Sequence, residues 1–565
     1  MDTVVGIDLG TTNSLVAVVR GGRPEVIPVD GSPLLPSVVG VDAQDRRIVG
    51  TAARNQFVAA PDRTVRSIKR QMGRPGYLAR LGASEYTPEE ISAFILGRLA
   101  EAAASGLGET VRRAVITVPA YFTDRQRQAT MRAGELAGLE VVRLLHEPTA
   151  AALVYGLERS GVSTAMVYDL GGGTFDVSVV EVGDGVTEVR ASHGNRELGG
   201  DDFDALIVEH LAAEFQRRHR LDLRQDRRAM ARIAAAAERA KIALSTAPYV
   251  VVREEFLATG GRAPLHLEVE LTRRSFERMI EPLLQGTLES VRAVLRESVG
   301  DASALDEVLL VGGSTYVPAV RALVAEAVGR EPRQDLNPEQ VVALGAAIQA
   351  AVVAGSAIDA VLVDVCPHSL GVRVVSHTGW DLDDDCFAPI IRRNTAIPVS
   401  ASEFFHTFTP DQEDVEIQVY QGEDRVASRN THLGDMLFTG LSPDPEGGRR
   451  EVLVAFDYDV NGMLHVAAVD RRSGKRTEAH IHTAALTRVD VARAAKTEPA
   501  AAVPEVDALM VRLRAAGAAA GAAGAAELQA LLAEAETLTR DPDPDRLSKW
   551  KEAVAEFIFV HGSEY

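Results

Sequence analysis

Two short turns in this sequence combine glycine, threonine and carboxylate residues in a way that suits a phosphate ligand. The first turn, IDLGTTNS, spans Ile7–Ser14, and the second, DLGGGTFD, spans Asp169–Asp176. Glycine allows a close backbone approach, while backbone N–H and hydroxyl groups donate to phosphate oxygens. The predicted phosphate contacts are Gly10, Thr11, Thr12, Asn13, Gly171, Gly172, Gly173 and Thr174.

Carboxylates flank both turns and indicate a metal beside the phosphates. If the turns face each other, Asp8, Asp169 and Asp176 would surround a mostly hydrated Mg²⁺. Glu147 precedes a proline at a predicted helix start, where it would orient metal-bound water or serve as a plain helix-entry carboxylate. Each turn alone could equally be an ordinary glycine turn. The sequence contains neither a GxxxxGK[ST] motif nor a strand followed by GxGxxG, which excludes P-loop and dinucleotide-binding folds.

The two turns belong to a faint internal repeat. Val4–Val19 and Met166–Val180 each contain an apolar strand ending in Asp-Leu-Gly, a tight turn and a second strand. Two copies of one plan predict two similar lobes that face each other.

Two further segments fit the rest of a nucleotide. Glu238, Lys241 and Ser245 are spaced i, i+3, i+7, so they share one helical face that would contact ribose and adenine. By spacing alone, an ion pair between the first two on a solvated surface is the more ordinary interpretation. The apolar strand that ends at Gly312 and Gly313 would pass under the base.

The composition sets broad limits on function. The 565 residues are 46% hydrophobic and 25% charged, as in globular proteins. The net charge of −20 disfavours nucleic acids and anionic membranes as partners. Cys366 and Cys386 are too few for a disulfide framework or a cysteine-rich metal site. Because the N-terminus lacks the features of a signal peptide, we expect a cytoplasmic protein.

Changes in pattern divide the chain into five parts. Strands alternate with helices, such as Asp124–Ala137 and Arg228–Ser245, over residues 1–355, which predicts an α/β domain. Residues 366–487 form an antiparallel β-module, residues 488–504 a flexible linker, and residues 505–565 a short helical region. Residues 356–365 are an apolar connection. They would form the first strand of the β-module or dock against the first domain in one state only.

The chain resembles the seventy-kilodalton heat-shock chaperone family of the DnaK type. The motifs that carry the resemblance, in family order, are IDLGTTNS, VPAYFTDRQRQAT, HEPTAAALVYGL, DLGGGTFDVS, LGGDDFD, ERAKIALS, VGGST and LGAAIQAA. The likeness covers about residues 3–487. Three segments resemble the HscC branch in particular: RQMGRPGYLARLGASEYT, DVCPHSLGV and APIIRRNTAIPVSASEFF.

The resemblance implies the fold and the activity. It implies a two-lobed, actin-like α/β ATPase domain, an antiparallel β-sandwich that binds peptides, and a short α-helical lid. It implies a monomeric, ATP-dependent chaperone that uses ATP or ADP, Mg²⁺ and a potential K⁺, and in which the nucleotide switches the affinity for extended hydrophobic client segments. The implied partners are client peptides, a J-domain co-chaperone and, as a further candidate, a nucleotide-exchange factor.

The resemblance also assigns roles by position. The implied catalytic residues are Lys69, Glu147, Thr174 and Asp176. The implied adenosine contacts are Glu238, Lys241, Ser245, Gly312, Gly313, Ser314 and Tyr316. The implied relay residues are Pro119 and Arg127. The implied peptide-cleft residues are Val372, Val375, Phe405, Phe408, Val415 and Ile417.

Two of these roles have ordinary alternatives. Lys69 lies in a basic segment, where a lysine is usually a solvated charge, and only its family position makes it a catalytic candidate. A cation there would stabilise the charge on the transferring phosphoryl group. Val415 and Ile417 alternate with polar residues, so they share one sheet face that would otherwise be sandwich core.

The chain departs from the family pattern at two places. Tyr316 stands where an arginine that stacks on adenine is usual, which predicts weaker or altered nucleotide affinity. Residues 376–388 (SHTGWDLDDDCFA) predict a long acidic loop whose charges are solvated.

Two other functions remain open from the residues alone. A metabolic kinase shares the actin-like plan but leaves the β-module unexplained. A non-catalytic scaffold would use ATP only as a conformational switch, against which the presence of Lys69, Glu147 and Asp176 argues.

Overall fold

The computed structural model describes most of the first 480 residues. The described residues are 3–157, 161–183, 185–260, 263–333, 335–356, 358, 360–378, 381–445, 447–480, 528–533, 546, 550, 553 and 554. The chain forms two compact units, residues 1–485 and 486–565. The predicted linker at 488–504 and most of the predicted lid at 505–565 lie outside the described residues. In the described part of the chain, no helix is long and apolar enough to cross a membrane.

The first unit begins with a lobe built on a mixed sheet. Its strands are β1 (Val4–Asp8), β2 (Asn13–Arg20), β3 (Arg23–Ile27), β4 (Leu35–Pro36), β5 (Val38–Val41), β6 (Arg47–Val49), β7 (Thr64–Arg66), β8 (Ala79–Leu81), β9 (Ser84–Tyr86), β10 (Arg113–Val118) and β11 (Glu140–His146). Its helices are α1 (Thr51–Gln56), α2 (Pro88–Leu107) and α3 (Asp124–Leu136). The main sheet has the order β11-β10-β1-β2-β3, and β5, β6 and β7 form a small separate sheet beside α1.

A second lobe follows the same plan. Its elements are α4 (Glu147–Leu157), β12 (Ser163–Leu170), β13 (Phe175–Gly183), β14 (Val186–Asn195), α5 (Gly200–His219), α6 (Arg227–Leu244), β15 (Tyr249–Gly260), β16 (Ala263–Thr272), α7 (Arg273–Ser298), β17 (Glu307–Val311), α8 (Pro318–Val328) and α9 (Val341–Val353). The hairpins β1–β2 and β12–β13 are both antiparallel, and each lies beside a parallel neighbour. The predicted repeat and the helices at 124–137 and 228–245 are therefore confirmed to within a residue or two at each end.

Three hydrophobic cores hold the two lobes. One fills the first lobe and another the second lobe. The third contains residues from both sheets together with α4 and α9, so it joins the lobes. The uncharged stretch from Val341 forms the buried helix α9, because its alanines and glycine let it pack closely on β1 and α4.

A β-sandwich completes the first unit. Two strands of this part of the chain, β18 (Val361–Val365) and β21 (Ala396–Ile397), extend the main sheet of the second lobe. The strands of the sandwich are β19 (Leu370–Thr378), β20 (Asp381–Ile391), β22 (Val399–His406), β23 (Val415–Gln421), β24 (Thr431–Phe438), β25 (Glu451–Tyr458), β26 (Leu464–Asp470) and β27 (Arg476–His480). The sheet β20-β19-β23-β24 packs on the sheet β22-β25-β26-β27 around one apolar core. Between β25 and β26, Gly462 has a φ of 70°, as Asn-Gly hairpin turns require.

The connection between the two lobes and the sandwich is a strand in the sheet of the second lobe. β18 pairs parallel with β14, through Val186 and Val361 at one end and Glu188 and Val363 at the other. Its last two residues also pair antiparallel with β21. The connection is therefore both docked on the first part and continuous with the second.

The expectation of a long acidic loop at 376–388 is wrong. Most of this segment belongs to the hairpin of β19 and β20, with Ser376 opposite Asp383 and Arg373 opposite Phe387. Arg373 donates to the carbonyl oxygen of Asp384 over 2.7 Å and lies 3.5 Å from the carboxylate of Asp385. Cross-strand pairing and this arginine outweigh the low strand propensity of the aspartates.

The second unit is described at few positions. Residues 528–533 are helical, and Trp550 and Val554 are buried. Trp550 Nε1 donates to the carbonyl oxygen of Leu531 over 2.8 Å.

The close packing of α9 on α4 gives a test of the core that joins the lobes. A Cβ on Gly345 would lie 1.8 Å from the carbonyl oxygen of Ala150, so Gly345→Ala forces the helices apart. We expect a loss of about 1–3 kcal/mol in stability, measured as a lower first transition in thermal unfolding. Gly97→Ala is the control, because that helical glycine has open space around its Cβ position. Equal unfolding midpoints for the two variants would contradict this packing.

Candidate functional site

The two glycine turns meet at the floor of a cavity of about 810 Å³ between the lobes. They are in direct contact, because a Cβ on Gly172 would lie 2.0 Å from Thr12 Oγ1. The cavity is lined by most of the sequence-predicted residues. These are Asp8, Gly10, Thr11, Thr12, Asn13, Lys69, Glu147, Asp169, Gly171, Gly172, Thr174, Glu238, Lys241, Ser245, Gly312, Gly313, Ser314 and Tyr316.

Two predicted residues lie just behind the cavity wall. Gly173 is covered by Thr11 and by the aliphatic part of Arg70, each within 3 Å of its Cβ position. Asp176 is almost completely buried and accepts a hydrogen bond from the backbone N–H of Tyr121 over 3.0 Å.

Several buried carboxylates crowd together beneath the turns. Burial, and then the charge of Glu147, raises the pKa of Asp8 to about 7 and that of Asp176 to about 7. The pKa of Asp169 is raised well above its usual range by burial and by Glu147, Asp176 and Asp8. A cation would relieve this repulsion.

The donor set fits a hydrated divalent cation. The carboxylates offer only oxygen, which suits Mg²⁺. Among the described residues, no three His, Cys, Asp or Glu side chains are arranged to hold a metal directly. Contact through water, as Mg²⁺ prefers, is the arrangement that these side chains allow.

Lys69 is the cation already present in this cluster. It is only 5% exposed, and its Nζ lies 2.5 Å from Glu147 Oε1. The lysine stands on the 3₁₀ turn Ile68–Gln71, which follows Ser67 at a φ of 53°. Lys69 is therefore not the solvated surface charge of the alternative interpretation.

The predicted nucleoside face of α6 is turned into the cavity. Glu238 and Lys241 do not pair with each other: Glu238 accepts from Arg54 and Arg66, over 2.9 and 2.8 Å. Lys241 Nζ donates to Asp204 over 2.9 Å. Glu238 and Lys241 therefore contact residues of other elements instead of forming an ion pair with each other on the surface of α6.

The turn after β17 is fastened to the second phosphate turn. Gly312 has a φ of 84°, and a Cβ there would lie 2.4 Å from the carbonyl oxygen of Leu170. Ser314 Oγ donates to the carbonyl oxygen of Gly171 over 2.8 Å. Tyr316 is 48% exposed at the cavity edge, where burial and then the charge of Glu339 raise its pKa.

Of the two predicted relay residues, Arg127 lies where the first lobe meets the sandwich. Pro119 is buried directly after β10. Arg127 is buried in α3, and it donates to the carbonyl oxygen of Ala120 over 3.0 Å and to His146 Nε2 over 2.6 Å. A guanidinium has no acceptor, so His146 must carry its proton on Nδ1. That nitrogen lies 2.8 Å from Asp364 Oδ1 in β18.

The turn between β25 and β26 touches the same region. The N–H of Leu144 donates to Asn461 Oδ1 over 3.0 Å, and the N–H of Leu464 donates to Asp124 Oδ1 over 3.4 Å. A Cβ on Gly462 would lie 3.0 Å from an Nη atom of Arg127. The first lobe, the connecting strand and the sandwich therefore meet around Arg127.

The six predicted cleft residues occupy three kinds of position. Val372 and Ile417 are buried in the sandwich core, and Phe405 and Val415 are partly buried at its edge. Val375 and Phe408 are nearly half exposed. Val372 and Ile417 therefore belong to the sandwich core, as the alternative interpretation has it. Val375, Phe405, Phe408 and Val415 remain wholly or partly accessible to a ligand.

Comparison with known proteins identifies the family. A family profile described as "Hsp70 protein" matches residues 4–76 and 77–508. The chain is also similar to "Chaperone protein DnaK" of Thermotoga neapolitana, with 48% identity over 480 residues, covering 84% of this chain and 79% of that protein.

The chain belongs to the Hsp70 family. As an Hsp70 it is an ATPase and an ATP-dependent chaperone that binds unfolded client peptides, and it uses ATP or ADP with Mg²⁺. Membership of the family implies a two-lobed ATPase part followed by the β-sandwich. It also argues against the two alternative functions, a metabolic kinase and a non-catalytic scaffold.

Sequence reasoning missed four Hsp70 residues that the structure brings to these sites. Arg54 lines the cavity, and Arg66 holds Glu238 from the opposite lobe. His146 and Asp364 connect Arg127 with the connecting strand. Only His146 carried a signal, because it is a titratable residue next to Glu147 in the HEPTAAAL motif.

Replacing Tyr316 tests its part in the Hsp70 nucleotide site. We expect Tyr316→Arg to tighten ADP binding by about threefold to tenfold, because a guanidinium adds charge to a surface that now offers only a ring. Equilibrium titration with a fluorescent ADP analogue measures the change. Tyr316→Phe is the control and should stay within twofold of the wild type. Unchanged affinity in Tyr316→Arg would show that the ring and the guanidinium serve equally well.

Proposed function

We propose that the cavity between the lobes is the ATPase site and that its predicted residues have the roles assigned above. The observation that carries this is the convergence of two glycine turns, a buried lysine and crowded carboxylates in one cavity. Asp8, Asp169 and Asp176 would hold Mg²⁺ through water, and the metal would neutralise phosphate charge when bound. K⁺ would be a second cation of the site.

Four side chains around the glycine turns would have different roles in ATP hydrolysis. Lys69 places a fixed positive charge beside the phosphate turns, in a water-poor site where it acts strongly on developing negative charge. Glu147 accepts from Lys69 and keeps a second carboxylate oxygen to orient water. Thr174 and Asp176 close the second turn, Thr174 as a hydroxyl donor and Asp176 as a buried carboxylate fixed by the Tyr121 N–H.

The nucleotide state would be passed to the sandwich at the junction of β11 and α4. Glu147 begins α4 and points to Lys69, whereas its neighbour His146 ends β11 and points to Asp364. A shift of this junction changes both contacts together. ATP binding would thereby control the docking of β18, the accessibility of the peptide cleft and the rate of peptide release.

The shifted pKa values at this junction favour a neutral His146 beside an ionised Asp364. Burial lowers the pKa of His146 below its usual value. Burial alone would raise the pKa of Asp364, but the contact with His146, the Val365 N–H and Arg127 outweigh burial and lower it.

The finer description of the protein is also a proposal. We infer the domains 1–355, 366–487 and 505–565, with connections at 356–365 and 488–504, and a short helical lid at the end. The three segments that resemble the HscC branch support assignment to that branch. From the family resemblance we also propose a cytoplasmic monomer that works with a J-domain co-chaperone, with a nucleotide-exchange factor as a further candidate.

Replacing Lys69 tests the catalytic assignment. We expect Lys69→Ala to lower kcat for ATP hydrolysis by about 100-fold to 1,000-fold, because the fixed charge is lost where negative charge develops. ATP affinity should change far less than kcat. Single-turnover hydrolysis and equilibrium nucleotide binding separate the two effects. Lys475→Ala, on the sandwich, is the control. Hydrolysis at the wild-type rate in Lys69→Ala would exclude the catalytic role.

Replacing Asp364 tests the proposed coupling. We expect Asp364→Asn to weaken the His146 contact and to slow ATP-triggered release of a fluorescent hydrophobic peptide by about tenfold, as expected for a charged hydrogen bond. ATP hydrolysis without peptide should persist. Stopped-flow fluorescence after mixing with ATP and Mg²⁺ measures release. The control is Asp45→Asn, an exposed aspartate paired with Arg63 within the first lobe. Release as fast as in the wild type would argue against this route.

A further inference from the structure

A buried arginine of the sandwich holds the loop that connects β22 with β23. Arg450 directly precedes β25, and its side chain is only 6% exposed. Its Nε donates to the carbonyl oxygen of Pro410 over 3.1 Å, and its Nη2 donates to that of Asp411 over 3.4 Å. Its Nη1 donates to the carbonyl oxygen of Leu441, in the connection that follows β24. All three nitrogens of the guanidinium are therefore engaged with backbone oxygens.

The ion pair that Arg450 forms with Glu413 is weak. The two side chains are 4.0 Å apart, and that of Glu413 is 75% exposed. An exposed pair at this distance contributes little to stability. A buried guanidinium that lost its acceptors would be costly, so the carbonyl oxygens are the partners that keep Arg450 in place. The position of the side chain and the path of the loop therefore depend on each other.

The backbone of Arg450 holds the start of the same loop. The N–H of Thr407 donates to the carbonyl oxygen of Arg450 over 2.9 Å, and the N–H of Arg450 donates to Thr407 Oγ1 over 2.9 Å. Thr407 Oγ1 donates in turn to the carbonyl oxygen of Thr409 over 2.8 Å. Phe408, between the two threonines, is 48% exposed, and its N–H donates to Gln412 Oε1 over 2.9 Å. An exposed aromatic ring is thus carried by a backbone that is fixed on both sides.

The loop lies at the same end of the sandwich as a second exposed apolar side chain. β23 begins at Val415, directly after the loop, and it pairs antiparallel with β19. The C-terminal end of β19, which carries Val375, therefore lies at the end where β23 begins. Val375 and Phe408 are the two most exposed of the six residues assigned to the peptide cleft.

We propose that Arg450 is a positioning residue for Phe408 and that it sets the lifetime of a bound client peptide. The proposal rests on the peptide cleft assigned above, to which Phe408 belongs. A side chain on a fixed loop loses little freedom when it packs on a peptide, so more of the contact is retained as affinity. Without the guanidinium, the loop loosens, and Phe408 must be ordered anew each time a peptide binds.

The dependence on Phe408 distinguishes this role from general stabilisation. A residue that merely stabilises the sandwich would affect peptide release whether or not the ring of Phe408 is present. A residue that acts by positioning the ring loses its effect when the ring is removed, so the two substitutions are not additive.

The test measures release of a fluorescent hydrophobic peptide from the full-length protein with ADP, by displacement with unlabelled peptide. We expect about tenfold faster release from Arg450→Gln, in line with the loss of a charge-assisted hydrogen bond. Arg450→Lys keeps the charge without the planar donors, so its rate should lie between those of Arg450→Gln and the wild type. In the Phe408→Ala background, Arg450→Gln should change the rate by less than about twofold. Arg476→Gln is the matched control, because Arg476 is exposed on the edge strand β27 and pairs with Glu478 of that strand.

Hydrogen exchange tests the loop directly. Backbone amides of residues 407–414 should exchange faster in Arg450→Gln than in the wild type, because the hydrogen bonds that fix the loop are lost. Amides of β26 should exchange at the wild-type rate in the same variant. ATP hydrolysis without peptide should also be unchanged.

The outcomes separate this proposal from the cleft on which it rests. Release from Arg450→Gln at the rate of the wild type and of Arg476→Gln would overturn the positioning role. The same role would be excluded by equal acceleration with and without the ring of Phe408, or by faster exchange throughout the sandwich in both Arg450 variants. Release from Phe408→Ala at the wild-type rate would remove Phe408 from the cleft and overturn this proposal with it. Absence of peptide binding in the wild-type protein would instead overturn the cleft as a whole.

Discussion

The repulsion among the buried carboxylates below the two glycine turns is the constraint around which this protein is organised. Carboxylates crowded together away from water are unfavourable unless a cation compensates them, and raised pKa values in Asp8, Asp169 and Asp176 express that cost. Lys69 supplies one compensating charge. The other must come from a bound ion, so the apolar cores of both lobes and the helices between them serve to hold a charged site that favours metal and phosphate together.

The position of the carboxylate cluster also explains why the proposed coupling route starts at Glu147. Glu147 belongs to the carboxylate cluster, and it is the first residue of α4. A change in the charge around Glu147 would therefore act on the start of α4 and on the preceding residue, His146. Because His146 bridges Arg127 and Asp364, a change at the proposed metal and phosphate end would reach the connecting strand through one peptide unit. Such a short path requires no long chain of side-chain movements.

The sequence predicted local features of the fold well and long-range contacts poorly. The two turns, the repeat and the helices that begin near Asp124 and Arg227 depend on local periodicity and turn residues, which are visible in the sequence. The pairing of Glu238 with Arg54 and Arg66 joins residues more than 170 positions apart, and no motif marks the arginines. The acidic segment at 376–388 predicts a loop because it departs from the family pattern, yet it pairs with β19 despite the low strand preference of aspartate.

The connecting strand shows how a weak element can serve as a switch. Val361, at its start, is 53% exposed, whereas Asp364 and Val365, at its end, are buried. Apolar burial therefore contributes little at the start of β18, where pairing with β14 holds the strand on the second lobe, and the buried polar contacts of the strand are made by Asp364 near its end. Burial of apolar area changes gradually as a strand separates, but the contact of Asp364 with His146 depends on direction and is lost after a small displacement. A strand held by short ladders and by the directional contacts of Asp364 with His146 and Thr149 would be docked or released by a small change at the proposed nucleotide site, which a strand held by continuous apolar burial would not.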